Sequence, residues 1–226
     1  YRIWVPVLSE EEPYATREVD EAAALIDWLD AEGRSLLGVD RVYIVGYSTG
    51  GTVVNFLNLR SRVDAMVSIA GLTQPDQLQQ NETLDRLIAD LFDCNSAFRQ
   101  LERTIDHYSR VGWGNFDMPA RVTELKSPML MLTTLDDWVQ WPANTQAVEQ
   151  AYNDALAEGA IMPPITFQYF ETGGHSAYVS GEKFVLAVLN YLEEFEALAF
   201  YLDSILESNP AFEGPSGPGA TADAAD

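Results

Sequence analysis

The segment from Val42 to Gly51 reads Val-Tyr-Ile-Val-Gly-Tyr-Ser-Thr-Gly-Gly, an apolar, β-rich run that stops at a glycine-flanked serine and passes into the helical pattern of Thr52 to Leu59. Few folds accommodate that transition. A strand that turns sharply into a helix needs small residues where its two arms close on each other, and it leaves the central serine strained and lifted out of the sheet. The helix start also aims free N–H groups and a partial positive charge at the space around that serine. A parallel sheet whose strands alternate with helices is the setting such a turn requires.

The rest of the chain supplies that alternation. Arg2 to Leu8 reads as a strand, and Thr16 to Leu29 carries apolar residues at helical spacing, with Gly33 and Gly38 expected to stop the helix. Ala65 to Ala70 and Pro128 to Leu132 read as buried strands, followed by a helix over Asn144 to Ala157, a strand over Ile165 to Phe170 and a final helix from Glu182 to about Leu206. The fold class expected is α/β, a mainly parallel sheet with helices on both faces. Residues 72 to about 126 break the pattern with amphipathic helices. They are expected to form a cap over a pocket, the alternative being a helical layer that only fills space. The domain is expected to span 1–208, with 209–226, rich in Pro, Gly and Ala, forming a disordered tail.

Composition narrows the partners. A chain of 226 residues that is 47% hydrophobic supplies one sizeable core. Its net charge of −22 argues against nucleic acid, which that field would repel. The two lysines are Lys126 and Lys183, and an acidic surface so poor in lysine suits either a saline habitat or simply high solubility. A single cysteine, Cys94, excludes an internal disulfide framework, and no motif around it suggests a nucleophile. No apolar run reaches the roughly 18 residues that would suggest a transmembrane helix. Whether the protein is cytoplasmic or secreted is not encoded in these residues, since the chain begins at Tyr1 rather than at methionine.

Gly46-Tyr47-Ser48-Thr49-Gly50 fits the G-x-S-x-G pattern, making Ser48 the candidate nucleophile and the Thr49 N–H a candidate oxyanion donor. A serine hydroxyl needs a base. Of two histidines, His175 lies in Thr172-Gly173-Gly174-His175-Ser176 just past the last strand, whereas His107 lies within the insertion and is assigned to the cap. The third member is expected at the end of a strand between serine and histidine, where Asp136 and Asp137 are adjacent. Asp137 is the expected orienting acid, with Asp136 facing solvent or helping to hold the loop. Tyr47 and Trp138, flanking nucleophile and acid, are the expected substrate contacts. Metal and organic cofactors are not needed for this chemistry.

With these residues in place the chain resembles the α/β-hydrolase superfamily, especially its esterase, monoacylglycerol-lipase and serine-aminopeptidase-like members. The resemblance rests on Gly46 to Gly51, on Ser127 to Leu132 leading to Asp137-Trp138-Val139, and on Gly173-Gly174-His175, and it covers nearly everything from Tyr1 to about Leu206. On that register Tyr1 to Val7 resembles the fourth strand, and strands one to three are missing, together with the His-Gly oxyanion segment. The expectation is therefore that an upstream segment or companion chain completes the sheet.

The resemblance implies hydrolysis of small-molecule carboxylic esters through an acyl-enzyme, with Leu87, Leu91, Trp113 and Phe116 of the cap as candidate acyl-chain contacts. Two alternatives stay open. One is a peptide- or amide-cleaving enzyme of the same fold, with Asp106 or Asp117 holding a substrate amine. The other is a binding module that keeps the fold without activity.

Overall fold

A computed structural model describes residues 16–74, 117–175 and 181–208. The chain divides into two compact units, residues 1–185 and 186–226. The first carries the sheet: β1 (Tyr43–Tyr47), β2 (Ala65–Ile69), β3 (Met129–Thr134) and β4 (Ile165–Phe170). Every neighbouring pair is parallel, in the order β1-β2-β3-β4, with Tyr43 opposite Ala65, Met66 opposite Met129 and Met129 opposite Ile165. The expected α/β class with a parallel sheet is borne out. In the second unit the described residues belong to the helix Glu182–Ser208, which begins in the first.

Hydrophobic alternation explains the layering. Met66, Met129 and Met131 join one core cluster with Val19 and Ile26 of α1 (Thr16–Trp28), Val53, Phe56 and Leu57 of α3 (Thr49–Asn58), and Val148 and Tyr152 of α4 (Pro142–Ala157). The intervening residues Val67, Ile69, Leu130 and Leu132 are buried as well, so both faces of the two central strands are covered, as continuous apolar runs in a parallel sheet require.

Two boundaries differ from expectation. Gly33 does not stop the first helix: the chain runs through a π-helical turn, Leu29–Gly33, into α2 (Arg34–Leu37), and stops at Gly38. The ring of Trp28 packs where a Gly33 Cβ would stand, at 2.8 Å, so that glycine makes room for an aromatic side chain rather than breaking the helix. The expected cap at 72–126 falls mostly outside the described residues, as do the strand at Arg2 to Leu8 and the tail at 209–226. Its described end, however, is a short 3₁₀ helix, Pro119–Glu124, flanked by Met118 and Leu125, and both of these join Val122 in the core cluster. Residues 118–125 therefore belong with the domain core, because their apolar side chains face the same interior as α4.

One buried side chain ties α3 to the segment that leads into β3. Asn58, at the end of α3, accepts hydrogen bonds from Lys126 N–H at 3.0 Å and Ser127 N–H at 2.8 Å, and donates to Ser127 O at 3.1 Å. The residue has no exposed surface, so its removal strands backbone groups that water cannot reach. Asn58→Ala is expected to cost about 3 kcal/mol of folding stability in urea unfolding, and a loss below about 1 kcal/mol would show the strap to be replaceable.

Candidate active site

The site lies where parallel strands end. Ser48 follows β1 directly, Asp137 follows β3 by three residues and His175 follows β4 by five. All three thus gather at the C-terminal edge of the sheet, where α/β folds open toward ligands.

The turn that carries Ser48 is forced by close backbone contacts. A Cβ at Gly46 would stand 2.1 Å from Gly50 O, and one at Gly51 2.8 Å from Ile69 O. With its arms closed this tightly, Ser48 takes φ 55° and ψ −116°, a region costing a non-glycine residue about 1–3 kcal/mol. Its backbone is held on both sides, by donation of its N–H to Ile69 O at 2.9 Å and by acceptance at its carbonyl from Thr52 N–H at 3.0 Å. Thr49 opens α3, so its N–H has no carbonyl one turn back within the helix and points into the region ahead of it.

The structure brings Ser48, His175 and Asp137 into one hydrogen-bonded chain. Ser48 Oγ lies 2.9 Å from His175 Nε2, and His175 Nδ1 lies 2.9 Å from Asp137 Oδ2 and 3.2 Å from Oδ1. An ionised carboxylate only accepts, which puts the proton on Nδ1 and leaves the Nε2 lone pair facing the serine hydroxyl. The Asp137 side chain is fully buried, while that of His175 is 18% exposed. The buried carboxylate is compensated by the ring and by Val139 and Gln140 N–H groups at 3.0 and 2.8 Å, all received by an oxygen pair fixed in place.

The Tyr47 hydroxyl donates to His175 O at 2.6 Å, with the two rings 5.5 Å apart, so the residue expected as a substrate contact is also bonded to the loop of His175. Burial, and then the Asp137 charge, push its phenol pKa up, which keeps it a donor. Asp136 accepts from Gly174 N–H at 2.7 Å and Gly173 N–H at 3.0 Å; in that order these two donors hold its carboxyl below the usual range. Trp138 is 44% exposed beside the acid, as is Leu135 at 46%. Asp117 caps the 3₁₀ helix through Ala120 N–H and accepts from Gln74, so its carboxylate is engaged in structure. Cys94, Asp106, His107 and the expected acyl-chain contacts Leu87, Leu91, Trp113 and Phe116 lie outside the described residues. Among the described residues no group of three or more His, Cys, Asp or Glu is arranged to hold a metal ion, and no helix is long and apolar enough to cross a membrane.

No protein-family model and no curated protein matches the chain. Solved structures do. Esterase B from Lactobacillus rhamnosis is similar at 18% identity with a TM-score of 0.61, over 87% of this chain and 65% of that one. A Pyrococcus furiosus esterase is similar at 12% identity and 0.61, over 83% and 65%. A puromycin-hydrolyzing peptidase of Mycobacterium tuberculosis is similar at 17% identity and 0.53, over 72% of this chain but 23% of its own. The chain thus spans about a quarter of the peptidase and just under two thirds of the esterases. At these identities the likeness shows the fold, which is that of the α/β hydrolases.

The strain at Ser48 yields a direct expectation. Ser48→Gly relieves a conformation that Ser48→Ala retains, so the glycine variant should be more stable than the alanine variant by about 1 kcal/mol in urea unfolding. Equal midpoints would show that the turn stores no strain at this residue.

Proposed function

On this α/β-hydrolase fold, we propose that the protein is a serine hydrolase that cleaves carboxylic esters by acyl transfer, with Ser48 as nucleophile, His175 as base and Asp137 as orienting acid. The observation that carries the reading is the unbroken chain Ser48 Oγ, His175 Nε2, His175 Nδ1, Asp137, with 2.9 Å at each join, on a strained turn.

Each partner supplies one element of the chemistry. His175 Nε2 takes the hydroxyl proton as Ser48 Oγ adds to the substrate carbonyl, and the charge of Asp137 stabilises the imidazolium that forms. The Thr49 N–H at the helix start stabilises the oxyanion, together with the α3 dipole. Collapse of the tetrahedral intermediate breaks the bond to the alcohol, which leaves with the proton from Nε2. Water then gives its proton to the same nitrogen, attacks the acyl-enzyme and releases the acid, restoring Ser48. Leu135 and Trp138 offer apolar surface beside the acid for part of the acyl or alcohol group.

The similar structures include esterases and peptidases alike, and the ester reading takes its support from the two esterases, each similar at a TM-score of 0.61. The same triad hydrolyses amides when a site binds them, so the two reaction classes are compared in one experiment. A fluorophosphonate probe should label wild type at Ser48. p-Nitrophenyl esters from acetate to palmitate should turn over faster than aminoacyl p-nitroanilides. Ser48→Ala should abolish labelling, and Asp137→Asn should lower kcat by about 10⁴-fold through the wrong imidazole tautomer. Faster turnover of the anilides would assign the site to peptides. Absent labelling in folded protein would leave a binding module.

A further inference from the structure

The segment that presents the base contains neither helix nor strand, yet each of its residues from Thr172 to His175 has a backbone group held by a side chain. Lys183 Nζ donates to Thr172 O at 2.7 Å. Asp136 accepts from Gly173 and Gly174 N–H, Thr134 Oγ1 lies 3.4 Å from Gly174 O, and the Tyr47 hydroxyl donates to His175 O at 2.6 Å. Two of these anchors stand in a telling place. Tyr47 immediately precedes Ser48, and Asp136 immediately precedes Asp137. In each pair the second residue touches the imidazole and the first holds the backbone that carries it.

We propose that Asp136 and Tyr47 are positioning residues that clip the His175 loop to the nucleophile turn and to the acid loop, fixing the imidazole between Ser48 and Asp137. The proposal rests on the hydrolase reading and adds to it the means by which the base is kept in line. The need for such a device is set by the sequence. Gly173 and Gly174 have φ of 150° and 58°, conformations open to glycine, and a Gly-Gly pair is the most mobile hinge a chain can place before a catalytic side chain. Proton transfer tolerates little displacement, since an error of about 1 Å in a reacting group costs roughly 100-fold in rate. A carboxylate receiving two adjacent N–H groups removes most of that freedom, because charged acceptors make the stronger bonds. The tyrosine adds a tether to the turn that bears the nucleophile, so distance to Ser48 is set by one residue rather than by the whole sheet.

The test uses the full chain labelled with ¹⁵N-histidine, which reports only His107 and His175, with His107→Gln to assign the signals. The Nδ1–H proton of His175 should appear far downfield and exchange slowly. Asp136→Ala and Tyr47→Phe should each broaden it and lower kcat by about 10–100-fold with KM within about twofold of wild type. The unfolding midpoint should hardly move, Asp136 being exposed. Asp136→Asn, which keeps one acceptor oxygen, should recover part of the loss. The double variant should lose less than the product of the two single losses, because both act on one loop. An unchanged resonance and unchanged kcat in both single variants would overturn the clip, as would losses that only follow a fall in the unfolding midpoint. If wild type turns over neither esters nor amides, the hydrolase reading fails and the resonance alone decides the clip. If turnover depends on Ser48 while the resonance ignores both substitutions, the clip fails and the hydrolase reading stands.

Discussion

A Cβ on Gly46 would meet Gly50 O at 2.1 Å, and one on Gly71 would meet the carbonyl carbon of Gly51 at 2.3 Å. Helix α3 therefore sits directly on the ends of β1 and β2, with backbone where side chains normally intervene. Everything at the site follows from that approach. It bends the chain at Ser48 into an unfavourable conformation and points the helix start at the sheet edge, while Leu57 of α3 and Met66 of β2 are wholly buried in one core cluster. The strain of about 1–3 kcal/mol at Ser48 persists because the packing around it is worth more.

The polar chain above the sheet works through order of burial. Asp137 is fully buried and the His175 side chain is 18% exposed, so the carboxylate beside the ring is shielded while the ring itself keeps some access to solvent. In a low-dielectric setting the carboxylate acts on the imidazolium far more strongly than it would in water. The adjacent Asp136 is exposed and acts on backbone instead, so two neighbouring carboxylates of one turn divide orientation of the ring from anchoring of the loop.

Much of this was legible in the sequence because its signals are local. A β-rich run ending in Gly-Tyr-Ser-Thr-Gly-Gly names both the elbow and its neighbours, and apolar runs at regular intervals name a parallel sheet. What remained hidden depends on direction. Spacing singles out Asp137 but cannot tell which backbone groups Asp136 holds, nor that the Tyr47 hydroxyl crosses 127 intervening positions to a carbonyl. Gly33 misleads for a related reason: its role is set by the Trp28 ring, and a glycine that yields space reads the same as one that ends a helix. The stretch Met118 to Leu125 has apolar residues that suit a cap as well as a core, and only its packing beside α4 separates the two.

The claim at the centre of the account is that Ser48 carries the acyl group, and trapping that intermediate tests it most directly. Rapid mixing with a p-nitrophenyl ester, acid quench and peptide mass mapping should show a burst of p-nitrophenol matching the enzyme concentration, and a peptide containing Ser48 heavier by the acyl group. Both should vanish in Ser48→Ala. Linear release without a burst, an unmodified Ser48 peptide and the same turnover in Ser48→Ala would contradict the account.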